Sequence, residues 1–126
     1  MQGESLTKTR SFAFAVRIVN LCKILATERN ASVLSKQLLR AGTSVGANVA
    51  EALSSFSSKE YTAKFSIARK EMAETLYWLD LLRETKYLTD AEHASIHADG
   101  ISLMKMISAT VITMQKRLGR MGEKNT

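Results

Sequence analysis

At 126 residues, with 45% hydrophobic and 24% charged side chains, the chain has the size and balance of a single domain with a buried core. One cysteine excludes an intramolecular disulfide, and the absence of proline permits long helices and argues against an all-β fold. The net charge of +6 divides as +5 over residues 1–50, −3 over 51–99 and +4 over 100–126, an excess that favours an anionic partner, nucleic acid being the commonest.

Met1 to Arg10 is polar and lacks the apolar centre of a signal peptide. No run approaches the roughly 20 apolar residues of a membrane span. A cytoplasmic location without a membrane partner is expected.

Four segments carry helical periodicity. The first helix is expected over about residues 5–28, with Phe14, Ile18, Leu21 and Leu25 on one face. Cys22 lies among Leu21, Ile24 and Leu25 and reads as a buried small hydrophobe, since only Lys23 is near to lower its pKa. Asn30 and Ser32 then offer N-cap oxygens for the next helix.

The second helix is expected over about residues 32–54. Its main stripe is Leu34, Leu38, Ala41, Val45, Val49 and Ala52. A second stripe of apolar and small residues runs beside it: Leu39, Gly42, Gly46, Ala50 and Leu53. A helix so widely apolar is more buried than an ordinary surface helix. Gly42 and Gly46 share a face, and each costs roughly 0.5–1 kcal/mol inside a helix relative to alanine. Their reading is the close approach of another helix backbone, from the same chain or from another subunit. One bundle core needs only one stripe, so a homo-oligomer is expected.

On the other flank lies a polar row: Gln37, Arg40, Ser44, Asn48, Glu51 and Ser55. A catalytic Ser44 would need a base, and this helix holds no histidine. Asn48 is expected to hydrogen-bond across a helix contact. Glu51 is expected to pair with an arginine or lysine.

Ser57-Ser58-Lys59-Glu60 has the form of a capping box and opens a third helix over about 58–86. Its apolar face is Tyr61, Phe65, Ala68, Met72, Leu76, Leu79 and Leu82. Thr89-Asp90-Ala91-Glu92 is a second box and opens a fourth helix over about 90–118. Leu103, Ile107, Val111, Met114 and Leu118 align along it, Gly119 and Gly122 suit its end, and Glu123 to Thr126 should fray. The whole predicts an all-α fold, one antiparallel up-down-up-down four-helix bundle over residues 1–126.

Chemistry-bearing constellations are scarce. His93 and His97 stand four apart, near Asp90, Glu92 and Asp99. That spacing can hold a metal, but acids in a first turn also simply start a helix. Carboxylate di-iron centres need Glu-x-x-His motifs, and none occurs. Phosphate-binding glycine loops, Cys-x-x-Cys, His-Glu-x-x-His and Gly-x-Ser-x-Gly are absent as well. No catalytic residue, metal or cofactor is expected.

The basic residues have a pattern of their own. In an up-down-up-down bundle, Lys8 and Arg10 fall at the same end as Lys116, Arg117 and Arg120, with Lys59 and Lys64 joining them. Such an end suits phosphates. Cations there also complement the dipole of a helix C-terminus. With three Tyr, one Trp and four Phe, mostly on apolar faces, stacking on single-stranded bases has little support.

From Gln37 to Ala68 the chain resembles the four-helix-bundle family named for proteins encoded within intervening sequences of bacterial large-subunit ribosomal RNA genes. The resemblance is carried by Gln37-Leu38-Leu39-Arg40-Ala41, Ser44-Val45 and Asn48-Val49-Ala50-Glu51, then Ser57, Lys59-Glu60-Tyr61 and Ile67-Ala68. Phe14-Ala15-Val16-Arg17-Ile18 and Lys86-Tyr87-Leu88 extend it over most of the chain. The resemblance implies a ring-like homopentamer with no known enzymatic activity. A related branch resembles the accessory protein of diversity-generating retroelements, which binds nucleic acid and works with a reverse transcriptase. Here Ala52 replaces a usual glycine, Ser55 and Phe56 replace usual loop cations, and Lys70-Glu71 replaces a common Gly-Ser.

Two functional readings follow. One is a non-catalytic oligomeric module of uncharacterised role that binds RNA or DNA through a basic surface, with Lys8, Arg10, Lys116, Arg117 and Arg120 as contacts. The other is a protein-interaction scaffold, such as the partner of a reverse transcriptase, without nucleic-acid binding of its own. In both, Arg40, Gly42, Ser44, Gly46, Asn48 and Glu51 serve the fold or an interface.

Overall fold

The described chain is four helices in sequence: α1 (Gln2–Glu28), α2 (Ser32–Leu53), α3 (Ser58–Glu84) and α4 (Asp90–Lys124). The computed structural model describes the backbone of residues 2–124 and the side chains of residues 6–122. Contacts between helices run in opposite senses along each neighbouring pair. Arg17 meets Asp99 while Arg10 meets Ser102, Ile18 lies beside Gly42 while Ser11 lies beside Gly46, Lys64 meets Glu51 while Arg40 meets Glu71, and His93 meets Asp80 while Gly100 lies beside Leu76 and Met72. Each helix is thus antiparallel to the next, and α1 closes the square against α4 through the narrowest of the four contacts.

The expected stripes form the core. Phe14, Ile18 and Leu25 meet Leu38, Val45 and Val49, then Phe65, Met72, Leu79 and Leu82, and finally Leu103, Ile107 and Val111. Fully burying one such side chain contributes about 1.5–3 kcal/mol. Buried hydroxyls are satisfied within their own helices: Ser35 Oγ donates to Ser32 O, Thr62 Oγ1 to Ser58 O and Thr75 Oγ1 to Glu71 O.

The turns show how each helix stops. Asn30 adopts a left-handed φ of 55°, and the Ala31 N–H reaches back to Leu25 O at 2.9 Å. Asparagine tolerates that conformation. Asn30 therefore closes α1, and neither it nor Ser32 caps α2, whose N-cap position is Ala31 with no side-chain cap bond. Ser57 Oγ accepts from the Glu60 N–H at 3.0 Å, as its box predicts. At the end of α3, Lys86 has φ 69°, its N–H bonds Arg83 O, and the Tyr87 N–H bonds Leu82 O. This is the paired closure that usually recruits glycine.

One helix runs longer than expected. α4 passes through Gly119 and Gly122, neither of which has positive φ, and reaches Lys124. A glycine ends a helix by turning left-handed into a closing bond. With nothing within 4 Å of where a Cβ would sit on either residue, no packing imposes that turn. Asn125 and Thr126, part of the tail expected to fray, lie outside the described residues.

The bundle thus has two unlike ends. At one, the α1–α2 and α3–α4 turns lie side by side. At the other, the α2–α3 turn sits beside the far end of α4. No helix among the described residues is long and apolar enough to cross a membrane.

Candidate functional site

The polar row on α2 is used inside the chain. Arg40 pairs with Glu71 and Glu74 on α3, and Glu51 with Lys64 at 2.7 Å. Those partners hold the Arg40 and Lys64 pKa values above their ordinary range, chiefly through the hydrogen bonds to Glu74 and Glu51. Ser44 Oγ donates to Arg40 O one turn back. Asn48 Nδ2 donates to Ser44 O at 2.8 Å, within its own helix instead of across a helix contact as expected.

Gly42 and Gly46 both face α1 of the same chain. A Cβ on Gly42 would lie 2.8 Å from Ile18 Cγ1, and one on Gly46 would lie 3.2 Å from the Ser11 carbonyl oxygen. Between the open alternatives of a helix of this chain or of another subunit, the close approach these glycines permit is to α1.

Beside that contact lies an outward groove of about 680 Å³, lined by Lys8, Thr9, Phe12, Ala15, Thr43, Gly46, Ala47 and Ala50. Phe12 is 71% exposed, and Val16 and Leu39 are also exposed on these two helices. The second stripe is therefore half consumed by α1 and half left facing outward.

The structure divides the expected basic end. Arg10 donates to Ser102 Oγ and lies 3.7 Å from Met106 Sδ. Lys116 stands ten residues further along α4 than Met106, about 15 Å at the helical rise. Lys8 borders the groove. Lys64 is taken by Glu51. What gathers at the far end of α4 is Lys116, Arg117 and Arg120, with Arg117 lining a hollow together with Ser57, Ser58 and Tyr61 at the start of α3. Lys59, next to Ser58, falls at this level. None of residues 112–122 is buried, but Met114 and Leu118 are half-buried, so this end of α4 lies along the rim of the bundle with its basic residues exposed. Among the described residues, Lys116, Arg117 and Arg120 make no ion pair.

At the opposite end, one arginine gathers both turns. Arg29 donates to Glu92 through two nitrogens, at 2.9 and 2.7 Å, and to Tyr87 O at 2.8 Å. Glu92 also accepts from the Thr89 N–H, while its own N–H donates to Thr89 Oγ1, so the second capping box is complete. The Arg29 hydrogen bond and the Thr89 N–H together lower the Glu92 carboxyl to about 2. Nothing in the sequence paired residue 29 with residue 92.

The two histidines have a partner that their neighbourhood in sequence did not disclose. His93 is 5% exposed, and its Nε2 lies 2.7 Å from Asp80 Oδ1 on α3. His97 Nε2 lies 3.9 Å from the same oxygen, and the two rings stack with centroids 4.8 Å apart. Among the described residues, Asp80, His93 and His97 each place a donor atom within 4.8 Å of the other two. Cys22 is buried, as expected, and burial pushes its thiol up to about 11.

Comparison with known proteins agrees with this architecture. Residues 5–109 match the family described as 23S rRNA-intervening sequence protein. A crystal structure of a protein with unknown function from the S23 ribosomal protein family of Bacteroides thetaiotaomicron is similar, with a TM-score of 0.85 and 43% sequence identity. The alignment covers 86% of this chain and 97% of that one. Neither description names an enzymatic activity. No curated protein matches.

Proposed function

We propose a binding role for this chain, which belongs to the 23S rRNA-intervening sequence protein family: a non-catalytic homo-oligomer that grips the phosphates of RNA or DNA. The observation that carries the reading is the far end of α4. Lys116, Arg117 and Arg120 crowd one exposed face at the end of α4, while Arg17, Arg29, Arg40 and Lys64 are held in ion pairs within the fold. Cations not committed to ion pairs within the fold stay available to a polyanion, and counterion release then drives binding.

Self-association is supported by the groove between α1 and α2. Phe12 lines it with Ala15, Ala47 and Ala50, an exposed apolar patch of the kind that marks a protein contact. A second copy laid on it would hide that patch, and five copies is the number the family resemblance implies. Copies in a ring would present several α4 ends together, which multiplies weak phosphate contacts.

Titration of labelled RNA and DNA at two salt concentrations tests the proposal. The expected Kd is about micromolar at low salt and weakens steeply as salt rises. Changing Lys116, Arg117 and Arg120 together to glutamine should reduce the slope of log K against log salt by about 2–3 per chain engaged. Absence of binding at low salt ends the reading. Sedimentation should give a mass several times the 14.0 kDa of one chain.

A second reading has one observation in its favour. Phe56 is fully exposed on the α2–α3 turn, beside the hollow of about 340 Å³ that Arg117 and Met114 line. An exposed aromatic rimmed by polar groups suits a protein partner, such as the reverse transcriptase of the accessory role. That scaffold requires a reproducible co-purifying protein that Phe56→Ser releases, with nucleic-acid affinity too weak to depend on salt.

A further inference from the structure

We propose that Asp80, His93 and His97 form a binding site for one divalent transition-metal ion, of which zinc is the representative, bridging α3 and α4. The inference stands apart from nucleic-acid binding and uses none of its residues.

The donor set is the first argument. Two imidazoles and one carboxylate, from positions i and i+4 of one helix and a facing helix, suit borderline ions such as zinc, cobalt and nickel. The chain has two histidines in all, and both are here. Their placement is the second. One ligand atom from each residue lies within 4.8 Å of the other two. Ligands on a common ion at about 2.0–2.2 Å stand roughly 3–3.5 Å apart. The 2.7 Å contact between His93 Nε2 and Asp80 Oδ1 must widen slightly, and the 3.9 Å contact to His97 must shorten by a similar amount. Rotation of the half-exposed Asp80, together with His97 turning out of its stack on His93 so that both ring planes meet at the ion, supplies these shifts and closes the remaining gap between the two imidazoles.

Burial is the third argument. The His93 side chain is 6% exposed, His97 33% and Asp80 51%. One ligand is held rigidly by the core while the other two border solvent. An ion can enter there and keep water in its remaining positions.

Proton accounting closes. Arg83 Nη1 lies 3.3 Å from His93 Nδ1, and a guanidinium only donates. Without metal, Nδ1 therefore accepts and Nε2 carries the proton toward Asp80. On metal binding the cation takes the place of that proton at Nε2, and the proton moves to Nδ1 in the other neutral tautomer. Arg83 must then withdraw, and Glu84 Oε1, 3.4 Å from its second amino group, is there to receive it.

Isothermal titration of metal-stripped, tag-free protein with zinc chloride tests the site, with cobalt chloride followed by visible absorption as a second probe. One ion per chain is expected. His97→Ala should weaken binding at least tenfold without loss of helicity, since His97 packs at the rim. Asp80→Asn should do the same, with His93 left in place. Zinc at about a hundredfold excess over Kd should raise the thermal midpoint by about 5–10 °C in the parent and by little in His97→Ala. Absence of zinc uptake by the folded parent overturns the proposal. So does a folded His97→Ala variant that binds zinc as tightly as the parent.

Discussion

The two ends of the bundle are built to opposite rules. At the end where α1 meets α2 and α3 meets α4, Arg29, Glu92, Thr89 and the Tyr87 carbonyl are tied into one network. At the other, Phe56 stands in solvent and the end of α4 exposes three cations that make no ion pair among the described residues. Hydrogen-bonded, partly buried charge holds neighbouring turns in register, whereas exposed charge adds little to folding. The contrast separates residues kept for stability from residues free to meet something else.

The contrast can be broken from the tied end. Glu92→Ala removes the N-cap partner and leaves the half-buried Arg29 without its acid, so unfolding in urea should show a loss of about 2 kcal/mol. Neutralising Lys116, Arg117 and Arg120 together should change stability by less than about 0.5 kcal/mol. Equal losses at the two ends would erase the distinction.

Acid sharpens it next. The Glu92 carboxyl titrates near 2 in the folded chain against an ordinary 4.5. Its folded pKa lies below its unfolded one, so its stabilisation is complete above about pH 4.5 and fades as pH falls toward 2. With Glu92 one-third exposed, solvent screening leaves about 1–2 kcal/mol of this effect. Denaturation curves between pH 6 and 3 should show it in the parent and lose it in Glu92→Gln. The smallest effect is at Lys86, whose left-handed backbone suits glycine better. Lys86→Gly should raise stability by about 0.5 kcal/mol, read as a small rise in denaturation midpoint.

Much of this was legible in residue order, and the boundary between legible and hidden is physical. Heptad-like spacing placed the core because one helix face repeats every three or four residues. The boxes at Ser57 and Thr89 worked because a cap bonds within its own first turn. Asn30 and Gly119 misled for a related reason. A capping side chain can also sit in a left-handed closure, and a glycine stops a helix only where a closing bond forms. Pairs that meet through topology stayed hidden. Arg29 with Glu92, and Asp80 with His93 and His97, lie on different helices, and no local period links them. The expected basic cluster failed in part for the same reason: sharing an end in a diagram fixes direction, and axial offset is set by the packing.

Cys22 carries a last consequence. It is the chain's one thiol, its Sγ donates to Ser35 O at 3.3 Å, and it sits where α1 and α2 face each other. At 6% exposure beneath a hollow between these helices, the thiol reacts slowly with an alkylating reagent, and faster when the two helices part. Its labelling rate is therefore a clock for that opening, readable by mass spectrometry in the unmodified protein. Run with and without nucleic acid, or as protein concentration is raised through assembly, the clock reports whether either event clamps α1 onto α2.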